Sequence, residues 1–75
     1  MLDQRLSEGT HVRLRAPSSL LHLASSTGRV VRETEDEGYY IIRLDAPALY
    51  DHGDVEAEVL SEVCEDIENL DVLPA

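Results

Sequence analysis

Residues 39–45 (YYIIRLD) set Tyr40, Ile42 and Leu44 on one side of an extended chain and Tyr39, Ile41 and Arg43 on the other. A period of two sustained over seven residues describes a strand with one buried face. Residues 10–15 (THVRLR) repeat the pattern, with Val12 and Leu14 opposed to His11, Arg13 and Arg15. Apolar segments this short, cut by Gly9, Pro17, Gly28, Gly38 and Pro47, suit strands and turns better than helices. A mainly β chain is expected, with Val12, Leu14, Tyr40, Ile42 and Leu44 inside.

The remaining segments fit around these two strands. Residues 1–8 are expected to form a flexible lead-in, and residues 9–75 a single domain. Residues 18–27 carry Leu20, Leu21 and Leu23 between serine pairs, which suits a helical turn or a loop pinned to the core. Residues 28–34 (GRVVRET) open a strand in which Val30 or Val31 points inward. Residues 35–38 (EDEG) make a hairpin turn, with Gly38 at the position that needs a positive φ. Residues 46–54 hold Pro47 and Gly53 around Leu49 and Tyr50 and are expected to be a loop. Residues 55–65 alternate at Val55, Ala57 and Val59. Glu and Ala there favour a helix, whereas the alternation favours a strand with an irregular middle. Residues 66–69 suit a short 3₁₀ turn, and residues 70–73 a last strand. Five short strands with one long early loop predict a small five-stranded SH3-like barrel with the 3₁₀ turn before its last strand.

Charge narrows the partners. The chain has 75 residues, 6 arginines, no lysine and 16 acids, for a net charge of −10. Residues 1–32 carry +3 and residues 33–75 carry −13. Contacts with a polyanion need cations, so nucleic acid is excluded as an expected partner, and an acidic membrane surface likewise. Crowded carboxylates repel one another and should on average be easier to protonate than free ones. No apolar run approaches the roughly 20 residues of a membrane span. A single Cys64 excludes an internal disulfide and fits the reducing cytoplasm, and it is expected to be a buried or half-buried structural thiol.

Four short motifs carry a resemblance over nearly the whole chain. They are Gly9-x-x-Val12-x-Leu14, Thr27-Gly28-x-Val30, Tyr40-x-x-Arg43-x-Asp45 and Glu68-Asn69-Leu70. In this order they resemble small SH3-like barrels, and most of all the C-terminal domain of nitrile hydratase β subunits and short uncharacterised bacterial proteins. The resemblance implies a barrel that packs against another protein. It implies no metal here, because that family's metal sits in a Cys-rich motif on the other subunit. His22 could take the place of the family's loop His, but Leu23 and Ala24 follow it where a cation would stand.

No constellation for catalysis is present. His11, His22 and His52 share no short ligand spacing, so neither a metal nor another cofactor is expected. A site built from His52 with Asp51 and Asp54 is the weaker alternative to solvated loop residues. Cys64 is flanked by Val63 and Glu65, and a neighbouring carboxylate suppresses thiolate formation. What remains is an apolar surplus. Tyr39 and Ile41 point outward, and Leu49 and Tyr50 lie in a segment a small barrel need not bury. These four are the candidate protein interface, unless residues 46–54 fold back to cover Tyr39 and Ile41. The expected function is a non-catalytic interaction or accessory-subunit module that self-associates or binds a protein. The alternative is a small-molecule binder or enzyme subunit whose site, for a ligand still unknown, forms only between chains.

Overall fold

The computed structural model describes residues 5–51, 53 and 56–74. Within them lie β1 (His11–Leu14), β2 (Leu21–His22), β3 (Thr27–Glu33), β4 (Tyr39–Tyr50), β5 (Glu58–Asp66) and β6 (Leu70–Val72). A 3₁₀ turn, Ile67–Asn69, precedes β6, with the Asp66 carboxylate capping the amide of Glu68. All pairing is antiparallel, and the sheet runs β5-β4-β3-β1-β6, with β2 joining the far end of β4. This is a mainly β fold in which one curled antiparallel sheet, of six strands rather than the expected five because the two-residue β2 forms within the early loop, makes a half-barrel around the core. Its two outer edges, β5 and β6, do not pair with each other.

The alternating residues fill that core. Val12, Leu14, Val30, Tyr40, Ile42, Leu44, Ala48 and Leu70 are buried, and Leu6, Leu21, Leu23, Val63 and Ile67 pack around them. Val30 rather than Val31 takes the inward position. The segment before Gly9 joins in, because the Leu6 amide donates to the Tyr40 hydroxyl at 3.0 Å. Gly38 turns the β3–β4 hairpin at φ +85°, where a side chain would be strained.

Three expectations are corrected. Residues 46–50 are not a loop; β4 continues through Pro47 to Tyr50. Proline is tolerated there because the β4–β5 register shifts between Arg43 and Ala48, and the missing donor falls within the irregularity. The face of β5 is also reversed, since Ala57 and Val59 are exposed while Leu60 and Val63 turn inward; Val55 lies outside the described residues. Cys64, finally, is exposed. It stands opposite Ile41 on the outer face, next to Val63, which opposes buried Ile42.

Candidate functional site

The outer face of the sheet carries a polar row fixed by register. His11 on β1 opposes Arg29 on β3, Arg29 opposes Arg43 on β4, and Arg43 opposes Glu62 on β5. Two arginines side by side repel, and each has an oxygen to hold it. The Arg43 guanidinium donates from Nε and Nη2 to Glu62 Oε2 at 3.2 and 2.9 Å. Arg29 donates to the Gly9 carbonyl at 3.1 Å. Between them an open groove of about 450 Å³ runs past Glu8, Gly9, Arg29, Val31, Arg43 and Asp45.

Asp45 closes one end of this groove. Its Oδ2 accepts from the Thr27 hydroxyl at 2.5 Å and meets His11 Nε2 at 3.0 Å. One carboxylate thus ties β4 to both β3 and β1. Here a hydroxyl, a carboxylate and an imidazole meet, yet both other groups are directed at the carboxylate. The imidazole makes its contact with Asp45 rather than with the hydroxyl, so the trio is a structural clamp and not an activated nucleophile. Hydrogen bonds from Thr27 and then His11 hold the Asp45 carboxyl below its ordinary range, despite partial desolvation. This runs against the average upward drift that crowding predicts. A depressed carboxyl stabilises the fold above its unfolded pKa, and that contribution disappears as pH falls through the folded value. Thr27→Val should therefore raise the Asp45 pKa toward the ordinary value near 3.8, and shift acid unfolding to higher pH. A ¹³C carboxyl titration unchanged by the substitution would remove Thr27 as the cause.

Of the four outward residues expected to form an interface, the structure makes two pairs and not one patch. Tyr39 and Ile41 stand opposite Asp66 and Cys64, at the barrel end of β4. Leu49 and Tyr50 stand opposite Val59 and Glu58, at its far end. Ile41 and Leu49 are eight positions apart, roughly 25 Å of extended strand. Because residues 46–50 continue β4, they do not fold back over Tyr39 and Ile41.

The far end of β4, with β2 on one side and β5 on the other, forms an arm. Leu49 is 48% exposed and its cross-strand partner Val59 is 68% exposed. Leu20, where the chain enters β2, is 45% exposed. Tyr50 lies on the opposite side of the strand from Leu49, half-buried and paired with Leu21. Val59 and Leu20 escaped sequence reasoning, because which side of β5 faces the core depends on its register with β4. Among the described residues, no group of three or more His, Cys, Asp and Glu is placed to hold a metal ion. His52 and Asp54 lie outside the described residues. Compared with known proteins, the chain matches no family model, no curated protein and no solved structure.

Proposed function

We propose that this chain is a non-catalytic protein-interaction or accessory-subunit module that docks through the outer face of the β2–β4–β5 arm. The observation that carries the proposal is the exposed pairing of Leu49 with Val59. Two aliphatic side chains set against each other in solvent, with Leu20 nearby and acids around them, have the character of an interface core with a polar rim. The resemblance to a domain that packs against another protein points the same way. An exposed free thiol at Cys64 suits a reducing, cytoplasmic setting.

Sedimentation equilibrium tests the arm. The wild type should show concentration-dependent self-association, and Leu49→Ser with Val59→Ser should remain monomeric at an unchanged urea midpoint. Truncating two exposed side chains should alter stability by no more than about 0.5 kcal/mol each. A monomeric wild type whose double variant loses stability like a core mutant would overturn the proposal. The groove beside Arg29 and Arg43 favours a second function, a small-molecule site completed by another chain. It is open on the surface, with Arg29 and Arg43 facing Glu8 and Asp45 along it, so a covering partner would convert it into an enclosed polar pocket.

A further inference from the structure

β5 presents nine residues, Glu58–Asp66, that pair with β4 along one edge. Among the described residues, no strand occupies its other edge. In an antiparallel ladder alternate residues direct both N–H and C=O to the same side, so about half of β5 offers unclaimed backbone donors and acceptors. They extend over about 30 Å. Sheet edges are commonly guarded by proline, lysine or inward charges, and β5 has neither proline nor lysine. It carries Glu58, Glu62, Glu65 and Asp66, with no cation of its own.

Those carboxylates restrict what can pair there. A second copy in parallel register would set every acid against itself. An antiparallel copy centred on Glu62 would oppose Glu62 to Glu62. Like charges directly opposite are destabilising, so these two registers with its own copies are disfavoured. An extended segment bearing lysine or arginine meets the reverse situation, because its outward cations fall beside Asp66 and Glu62, which also holds Arg43, while the backbone completes the ladder. The net charge of −10 also steers such a segment toward the chain.

We propose that the free edge of β5 binds an extended cationic peptide segment of a partner protein, added as one more strand of the sheet. This rests on the interaction role argued above and adds the chemistry of the partner. The edge is distinct from the apolar face of the arm, which remains available to pack against the same protein.

The full chain, labelled with ¹⁵N, is titrated with a nine-residue peptide of alternating lysine and valine. Two further probes are its glutamate–valine counterpart and the lysine peptide N-methylated at every residue, which keeps the charge and loses every backbone donor. The lysine peptide should shift amide signals concentrated in residues 58–66. N-methylation should weaken its binding at least tenfold, and the glutamate peptide should produce no shifts at the same concentrations. Equal binding of the methylated and unmethylated peptides would reduce the effect to bulk electrostatics and overturn strand addition. Shifts centred on Glu68 and Asp71 instead of β5, or no binding at all, would overturn it as well. Because sedimentation of the arm variant uses no peptide, failure of this proposal and failure of the interaction role are read separately.

Discussion

Gly28→Ala is expected to cost about 3 kcal/mol or more, through overpacking against backbone that cannot retreat. Gly28 lies buried in the middle of the sheet, opposite Val12 on one side and Leu44 on the other. A Cβ there would strike the Arg43 carbonyl oxygen well inside van der Waals contact, with Ile42 Cγ2 at 2.9 Å and the Arg43 carbonyl carbon at 3.1 Å. The obstacle is main chain, and that stretch of β4 is held by β3 on one edge and β5 on the other. A domain of this size has total stability of only about 4–11 kcal/mol. The urea midpoint of Gly28→Ala should therefore fall steeply at an unchanged slope. An unaltered midpoint would mean that β3 and β4 lie farther apart than described.

Ile42→Ala should lose about 3–4 kcal/mol, in the range for deleting a large aliphatic side chain from a rigid core. Ile42 is fully buried, with Val30 opposite it on β3 and Val63 on β5. It thus joins three strands in one contact. Ile42→Val supplies the graded control, at about 1 kcal/mol. Equal losses for the two variants would show that the site collapses around the cavity and that Ile42 is not the centre of packing.

How much of this was legible in the sequence depended on how local the determining forces are. Val12, Leu14, Tyr40, Ile42 and Leu44 are buried as their alternation predicts, because a pleated strand assigns sides from its own residues. The turn at Gly38 is equally local, and so is the 3₁₀ turn that Asp66 caps. Pro47 misled because its tolerance comes from a register shift against a strand ten or more residues away. The outward turn of Val59 has the same origin. Ala48 and Ile42 both face inward on β4, and their partners Leu60 and Val63 must do likewise. With two residues between those partners, strict alternation breaks at Ser61 and Glu62, and everything before them changes side. The groove was hidden for the same reason. Arg29 and Arg43 become neighbours only once β3 and β4 are in register, and nothing in either segment alone specifies that pairing.

The irregularity between Arg43 and Ala48 has a dynamic consequence. It divides the β4–β5 ladder into a stretch backed by the core, residues 39–43 with 62–66, and a stretch on the arm, residues 48–50 with 58–60. The first shares its burial with β3 and β1, so its amides open only when the whole barrel does. The second is backed by the two-residue β2 and touches the core through Ala48 and Leu21, so its hydrogen bonds should break at a lower free energy than those of the barrel. Amide exchange should therefore be faster at residues 49–50 and 58–59 than at residues 40–43 and 62–65, where the barrel sets the global unfolding free energy.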